Sequence, residues 1–513
     1  MLTSRSSNII LAFVSGCVLA LSFPRHGHSL LAWISLVPLL VALIRTRNVL
    51  DAFWLGLVSG IFYFGIVINW IPQVTNEYGG LSDGISASVY ILLVIYLSFF
   101  PAFFAAGIFM LHSRIGIVGL FFAPALWVSS EVGRLYIFGG FPWELLGYSQ
   151  TGVLPVAQLA SIFGVMGLSG LIVLVNSTIA FSIFVKDARR VLGIVATVGI
   201  LLATVAYGMS RLSDGGLLKA GTPLRVAAVQ ANIDQHDKWN PALSDDIYKA
   251  YLDLTRQSIA DGAELIIWPE AATPFSFEQN PSLAAPVREL TQEHDVHILL
   301  GTTEVASQQD RVHYYNSAVM VGSRGDTEGI YRKHHLVPFG EYVPFRSALF
   351  FVSPLVETVS DFSAGPGAQV LMMGKRAVST AICYEVIYPD LLRGSVEGGS
   401  QLLTTITNDA WYGNSAAPFQ HFQQATMRSI ELGRFLVRSA NTGISGVIDP
   451  YGRVLEQTAL FERQVLTTDV RLLEARTIYS RIGNLFEYMC VIISGCLLAI
   501  CGFKTSFFRK LKS

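Results

Sequence analysis

Charge is scarce in this 513-residue chain. Asp, Glu, Lys and Arg together make up only 14% of it, against about 25% in an average soluble protein. Hydrophobic residues reach 52%, and that imbalance points to a membrane. The shortage is uneven: up to about residue 210 the chain is built of long uncharged apolar blocks, whereas residues 222–475 have an ordinary globular composition. The formal net charge is −1, and no basic stripe interleaved with aromatics is present. Nucleic acid is therefore excluded as the expected partner.

Cysteine is scarce too. Of five cysteines, Cys17, Cys490, Cys496 and Cys501 lie in apolar runs, and Cys383 alone belongs to the globular stretch. A single thiol excludes an internal disulfide and a cysteine-based metal site in that region. There is no HExxH, paired CxxC, P-loop or GxGxxG set between a strand and a helix. Neither a metal nor a nucleotide cofactor is called for. Internal repeats and low-complexity tracts are also lacking.

What the chain does have is hydrophobic length. A bilayer takes about 20 apolar residues per helix, sometimes about 17. Seven candidate spans precede the globular region, at roughly 8–24, 29–45, 52–71, 87–111, 116–134, 158–185 and 191–208, and an eighth covers 483–503. The fifth and sixth, which flank "GGFPWELLGYSQ", are the least sharply bounded. The first is expected to be retained, since further spans follow at once and no small-residue cleavage site stands out after "LALSFPRHG". The organisation expected is seven transmembrane helices in 1–210, a catalytic domain at 222–475, an eighth helix at 483–503 and a basic tail at 504–513.

Lys and Arg favour cytoplasmic loops. With the N-terminus inside, the inner segments carry Arg5, Arg45, Arg47, Arg114, Lys186, Arg189 and Arg190, and the tail adds Lys504, Arg509, Lys510 and Lys512. The outer segments carry only Arg25 and Arg134. Arg211, Lys219, Arg476 and Arg481 run against this bias, but long domains translocate largely regardless of charge. The globular region is thus expected on the extracytoplasmic side.

Within 222–475 short strand-like runs appear: "LRVAAVQANI", "AELIIWPEAA", "HILLGTTEV", "NSAVMVGS", "AVSTAICYEV", "QLLTTITNDAW" and "RFLVRSANTGISGVI". Helix-like segments such as "SDDIYKAYLDLTRQSIADG" and "QHFQQATMRSIELGR" are interposed. Ser244 and Asp245 are candidate N-caps of the first, and Gly262 its stop. Strands alternating with helices predict a layered α/β domain.

Three groups with chemical potential fall near strand ends: Glu270 in "LIIWPEAA", Lys333 in "GIYRKHHLVPFGEYVPF" and Cys383 in "STAICYEV". Singly, each has a plain structural explanation, for a lone cysteine is more often a small buried hydrophobe. Together they suit acyl transfer. A free thiol has a pKa near about 8.5, so forming thiolate at neutral pH costs about 2 kcal/mol unless a base takes the proton during attack. Glu270 can be that base if a dry pocket raises its pKa. Lys333 can stabilise the oxyanion that forms when the carbonyl is attacked, with the Tyr384 N–H as a second donor. His334 and His335 invite a Cys/His protease reading, but no Asn or Asp partner in a recognisable context accompanies them. His421 reads as structural.

The order and wording of these motifs resemble the carbon-nitrogen hydrolase, or nitrilase, superfamily through nearly all of 222–475, including "TNDAWYG" and "RSANTGISGVIDPYGRV". The resemblance implies an α-β-β-α sandwich and a Glu-Lys-Cys triad at Glu270, Lys333 and Cys383. Glu341 in "PFGEYVP" resembles the family's additional glutamate, which would help hold Lys333; a surface turn residue is the alternative. Eight spans give a soluble amidase no advantage, but they serve an enzyme that takes a lipid acyl chain. Moving roughly 14 methylenes into water costs about 11 kcal/mol. The apolar segment 345–365 suits a lid over such a chain, or else a core-packing helix.

Over its full length, with "FPWELLGYSQ" before the sixth span and "LVPFGEYVPF" in the domain, the chain is similar to the apolipoprotein N-acyltransferase family. That resemblance implies a polytopic α-helical membrane domain joined to the nitrilase-like domain, in the bacterial inner membrane with the catalytic part periplasmic. It implies transfer of a fatty acyl group from a phospholipid, typically phosphatidylethanolamine, through a thioester on Cys383 to the N-terminal amine of a diacylglyceryl-cysteine on an apolipoprotein. Trp239 in "DKWNP", Tyr384 and Glu385 correspond to family residues near substrate and thioester; a core-packing tryptophan and a strand-end pair are the alternatives. Three rival readings stand beside this one: a membrane-anchored amidase or nitrilase acting on a small amide, which keeps the same triad; a transporter with an extracytoplasmic binding domain; and a catalytically inactive sensor, against which the intact Glu, Lys and Cys set argues. Against the transporter, the spans carry almost no intramembrane charge pair.

Overall fold

The computed structural model describes residues 5–308, 311–338, 340–342 and 362–510. They fall into two units, one drawn from Met1–Gln73, Ser82–Asp214 and Ile482–Ser513, the other from Val74–Leu81 and Gly215–Arg481.

The first unit is helical. By length and composition four stretches can cross a membrane, Val49–Val67, Asp83–Gly139, Ala160–Phe184 and Ala188–Lys219, and shorter apolar helices cover Arg5–Ala20, Ser29–Arg45 and Leu485–Cys501. The expected fourth and fifth spans share the stretch from Asp83 to Gly139, which is divided at Gly116 with φ 70° before a 3-10 turn. Apolar side chains do not drive helices together in lipid, so close packing of small residues must. A Cβ on Gly56 would stand 2.4 Å from the carbonyl oxygen of Pro101, and one on Gly60 would stand 2.8 Å from the Cα of Ser98. These glycines let Val49–Val67 pack directly on the backbone of Asp83–Ile115.

Some buried polar groups of this unit tie distant segments together. The Asn176 side chain accepts from Leu36 N at 2.9 Å and donates to Ala32 O at 2.9 Å, closing the break before helix Val37–Arg45. The loop "FPWELLGYSQ" is buried and held from several sides. Glu131 Oε1 accepts from Leu146 N at 2.7 Å and from Trp127 Nε1 at 3.0 Å. Arg134 and Tyr63 both donate to the carbonyl of Glu144, at 3.0 and 2.8 Å.

The second unit is an α-β-β-α sandwich of two six-stranded sheets, ordered β12-β1-β2-β3-β4-β5 and β11-β10-β9-β8-β7-β6. The first comprises β1 (Thr222–Gln230), β2 (Leu265–Ile267), β3 (His297–Gln308), β4 (Arg311–Val321), β5 (Thr327–Arg332) and β12 (Gln464–Leu472). The second comprises β6 (Leu371–Met373), β7 (Arg376–Ile382), β8 (Leu402–Thr407), β9 (Leu436–Ala440), β10 (Gly446–Ile448) and β11 (Val454–Gln457). Each sheet has a parallel centre, β1-β2-β3 in one and β7-β8-β9 in the other, flanked by antiparallel strands. Parallel strands covered on both faces read as continuous apolar runs, which is why these were legible. Across the sandwich Ser439 Oγ donates to Val229 O at 2.8 Å.

Four strands had no counterpart among the expected runs: β5, β6, β11 and β12. β11 is largely exposed, β6 has three residues, and β5, "TEGIYR", is half-buried with a glycine in its middle. None has the apolar density that reveals a central strand. The first expected helix forms as Ser244–Ala260, but Ser244 and Asp245 are its first residues rather than its caps. Asn240 instead caps the preceding 3-10 turn, accepting from Ala242 N at 3.1 Å. Helix Ala417–Leu432 ends at Gly433, whose φ of 61° is the left-handed geometry glycine adopts without cost.

Candidate active site

The parallel strands deliver their chemistry at their carboxyl ends. Glu270 follows β2, Cys383 is the first residue after β7, and Asn408 is the first after β8. Lys333 directly follows β5, where its N–H still donates to Asn316 O at 2.8 Å. The structure brings Glu270, Lys333 and Glu341 into direct contact. Lys333 Nζ donates to Glu341 Oε1 at 2.9 Å and lies 3.3 Å from Glu270 Oε1. Asn316 Nδ2 bridges the same two oxygens, at 2.7 Å to Glu270 and 2.9 Å to Glu341.

Each carboxylate is fixed through its second oxygen as well. Glu270 Oε2 accepts from Asn408 N at 3.0 Å, and Glu341 Oε2 from Val337 N at 2.8 Å. Glu341 is therefore a buried partner of Lys333 and not a surface turn residue. Lys238, also buried, donates from Nζ to Glu270 O at 3.0 Å. Two ammoniums thus face two carboxylates, and a buried cluster of balanced charge avoids the several kcal/mol or so that an unpaired buried ion costs.

Burial alone would raise the Glu270 carboxyl, but the Lys333 ammonium, the Asn316 amide, Lys238 and the Asn408 N–H outweigh it and hold Glu270 below the ordinary carboxylate value. The condition that burial raises this base is not met: Glu270 is buried, but the donors around it outweigh burial. Burial likewise disfavours the Lys333 ammonium, yet Glu341 and Glu270 overcome it and keep Lys333 charged. At Lys238 burial wins over the attraction of Glu270 and Cys383, and its pKa falls to about 8. The Cys383 thiol is pushed up by burial and then by Glu270, with Lys333 pulling the other way. It rests as a neutral thiol.

Cys383 has φ 52°, in the left-handed region that a non-glycine residue adopts only when its surroundings enforce it. Two side chains hold this turn. Glu385, fully buried, accepts from Ile382 N at 2.7 Å, from His334 N at 2.6 Å, from His335 N at 3.1 Å and from the Tyr331 hydroxyl at 2.9 Å. It joins the turn bearing Cys383 to the strand and loop bearing Lys333. On the other side His421 Nε2 stands 3.1 Å from Cys383 O, while its Nδ1 meets Asp409 Oδ1 at 3.0 Å and Arg438 Nη2 at 2.9 Å. Arg438 also donates to Asp409 Oδ2 at 2.7 Å. The histidine read as structural is thus one bond from the cysteine.

Tyr384 is buried, edge-on to Tyr388 at 5.3 Å between ring centres. Trp239 is 53% exposed, so it is not a core-packing tryptophan. Its loop is tied to the site through Lys238 and through Gln235, which accepts from Asn408 Nδ2 at 2.6 Å. Nearby in the same unit Tyr78 stacks on His236 at 5.6 Å and meets Trp411 edge-on at 5.3 Å. His334 and His335 face Glu385 through their backbones, and the His335 ring stacks on Tyr388 at 4.0 Å. Most of the expected lid, residues 343–361, lies outside the described residues.

Sequence reasoning missed Lys238 and Asn316, and it named His421 as structural without its partners Asp409 and Arg438. Lys238 adjoins a tryptophan that was singled out, and Asn316 opens the strand-like run "NSAVMVGS". A polar residue at the head of a buried run was the signal available.

Residues 225–479 match the family model for carbon-nitrogen hydrolases, and residues 15–178 match that for the N-terminal domain of apolipoprotein N-acyltransferases. The chain is 40% identical over 498 residues to an apolipoprotein N-acyltransferase of Geobacter metallireducens, an alignment covering 96% of this chain and 94% of the relative. To the enzyme of the same name from Methylococcus capsulatus it is 35% identical, covering 93% of this chain and 92% of the relative. Among solved structures it is similar to a carbon-nitrogen hydrolase from Helicobacter pylori, with 16% identity and a TM-score of 0.39 over 49% of this chain and 89% of that one.

Proposed function

The chain belongs to the apolipoprotein N-acyltransferase family, and from that premise we propose that Cys383, Glu270 and Lys333 carry a two-stage acyl transfer from a membrane phospholipid to an apolipoprotein amine. The observation that supports the assignment most directly is the buried contact of Lys333 with Glu270 and Glu341, beside a thiol whose pKa both Lys333 and Glu270 influence.

In the first stage Glu270 takes the thiol proton as sulfur attacks the ester carbonyl of the donor. From ordinary values of 4.5 and 9.0, moving that proton before attack costs about 6 kcal/mol at about 1.4 kcal/mol per unit. Burial of the thiol adds to this. The proton therefore moves as the C–S bond forms, when charge passes from sulfur to the carbonyl oxygen. Lys333, kept charged by its two carboxylates, stabilises that oxyanion, and the N–H of Tyr384 is the second donor. Collapse breaks the ester C–O bond, and Glu270 returns the proton to the departing lysophospholipid alcohol. In the second stage the α-amine of diacylglyceryl-cysteine attacks the thioester. Glu270 accepts the amine proton and passes it to the leaving thiolate, restoring the thiol.

Phosphatidylethanolamine is the proposed donor, and the proposed setting is the bacterial inner membrane with residues 222–475 periplasmic, between seven preceding spans and one following. Trp239, half-exposed on a loop anchored beside Glu270, is placed to meet a substrate, and Glu385 acts by holding the Cys383 turn. The test is to incubate the purified protein with labelled phosphatidylethanolamine and search for a thioester on Cys383 by mass spectrometry. The expected result is an acyl adduct with release of lysophospholipid, discharged by a diacylglyceryl-cysteine peptide and only slowly by water. Absence of the adduct, or its survival in Cys383→Ser, would overturn the proposal; rapid discharge by water would favour an amidase.

A further inference from the structure

At one end of the helical unit the chain forms a cavity of about 520 Å³, lined by Arg5, Arg45, Arg47, Asn48, Asp51 and Trp54 among others. That volume lies within the range of about 300–1,000 Å³ typical of small-molecule sites. Three guanidiniums face a single carboxylate. Asp51 is already engaged, at 3.3 Å from Arg5 and 2.7 Å from Asn48 Nδ2. Arg45 lies over the Phe184 ring at 6.0 Å. Among the described residues neither Arg45 nor Arg47 makes an ion pair with a carboxylate. The 19-residue helix Val49–Val67 starts at the same place, and its N-terminal dipole adds positive potential there.

The surface beside this cup is apolar. Ile10 is 60% exposed, Leu50 61% and Trp54 51%, with Ile9 and Phe13 also exposed. Cationic forks that suit a phosphodiester, bordered by bare hydrocarbon-facing side chains and an interfacial tryptophan, match a molecule with an anionic head and acyl tails. A free anion would use the arginines but would leave the apolar border without a role. We propose that this cavity binds the headgroup of an anionic phospholipid, with its acyl chains lying along Ile9, Phe13 and Leu50. The orientation proposed above puts it at the cytoplasmic surface. It is separate from the chemistry of Cys383, and it calls for no phospholipid donor to be correct.

The full-length protein in detergent can be titrated with phosphatidylglycerol, with phosphatidylcholine of the same chains and with inorganic phosphate, and bound molecules counted by native mass spectrometry. The expected result is tighter binding of phosphatidylglycerol than of phosphatidylcholine, weakened about fivefold by Arg45→Gln or Arg47→Gln and about thirtyfold by both together. The double variant should retain acyl transfer, which reports that it is folded. Equal binding of the two lipids would overturn the proposal, as would a double variant that holds phosphatidylglycerol as tightly as the wild type. Displacement of phosphatidylglycerol by equimolar inorganic phosphate would also overturn it, assigning the cup to a free anion.

Discussion

His421 Nε2 lies 3.1 Å from the carbonyl oxygen of Cys383, at a residue whose φ is 52°. A backbone carbonyl can only accept, so Nε2 carries a proton and donates to it, while Nδ1 faces both the Arg438 guanidinium and the Asp409 carboxylate. Burial and then the Arg438 charge lower the His421 pKa against the pull of Asp409, which keeps the ring neutral. His421 is thus a positioning residue for the strained turn. His421→Leu should lower kcat by about ten- to hundredfold with little change in KM, and His421→Gln, which can still donate, should recover part of it. Steady-state acyl transfer to a model peptide measures both. A leucine variant with unchanged kcat would show that the bond is incidental.

The thiol offers a check independent of turnover. Because burial and Glu270 push Cys383 above the ordinary 9.0, its alkylation by iodoacetamide should be slow at neutral pH. The rate should still be climbing about two pH units above the ordinary 9.0, where an unperturbed thiol has levelled off. Glu270→Gln removes a neighbouring negative charge, so it should move the alkylation curve to lower pH while abolishing acyl transfer. The two readouts moving in opposite senses separate an electrostatic role from simple misfolding. A curve unmoved by the substitution would remove Glu270 from the surroundings of the sulfur.

The central parallel strands and the residues at their ends could be read directly, because β2 and β8 are buried along their whole length and β1 and β7 over most of theirs, with mainly apolar or small residues at the buried positions. That pattern alone places Glu270 and Cys383 at strand ends. Lys333 was harder, since β5 has no such density, and the basic "RKHH" that follows suggests surface. Its burial depends on Glu341 and Asn316, two polar residues whose approach only the folded sheet reveals. The charge of the pocket was illegible for the same reason. Dryness predicts a raised Glu270, but an amide, a backbone N–H and two ammoniums from four separated segments converge on it. The bounds of the helices near "FPWELLGYSQ" were blurred because that loop is buried through Glu131, Arg134 and Tyr63, so burial there does not follow hydropathy.

Glu385 accepts four donors from two segments, so its loss should be felt as instability and as misplacement of Lys333. Glu385→Ala leaves the buried Ile382 N–H without its acceptor, at about 1–3 kcal/mol, and strips the part-buried N–H groups of His334 and His335 of theirs. A marked fall in apparent melting temperature should accompany loss of activity. Glu385→Gln keeps one oxygen and should fall between. Thermal unfolding of the detergent-solubilised protein monitors this. An alanine variant with wild-type stability but no activity would instead make Glu385 a group that touches substrate.

In the mechanism proposed above Glu341 acts only through its neighbours Lys333 and Asn316. Glu341→Gln preserves the shape of the contact with Lys333 but removes one of the two negative charges holding the ammonium, and its amide can turn a donor toward Nζ. If Lys333 stabilises the oxyanion, kcat should drop on the order of 10²-fold. The acyl-cysteine adduct should form slowly but to the same final extent. Rapid-quench mass spectrometry of the adduct follows this, and adduct formation at the wild-type rate would leave Glu341 without a part in the first stage.

Lys238 supplies the last prediction, and its sign follows from the charge it carries. As the base of the proposed mechanism Glu270 must be ionised, so kcat/KM should fall as pH drops through the Glu270 pKa, which lies below the ordinary 4.5. Lys238 is one of the charges that lower it. Lys238→Met removes that charge, so the Glu270 pKa rises and the acid limb moves to higher pH. The alkaline side responds differently. The wild-type Lys238 loses its proton near about 8, in the range where the α-amine of the acceptor also titrates, so the part of any change there that vanishes in the variant belongs to Lys238. Measuring kcat/KM across pH in both proteins decides the matter, and an acid limb that stays in place would mean that Lys238 supports the Glu270 backbone without tuning its carboxylate.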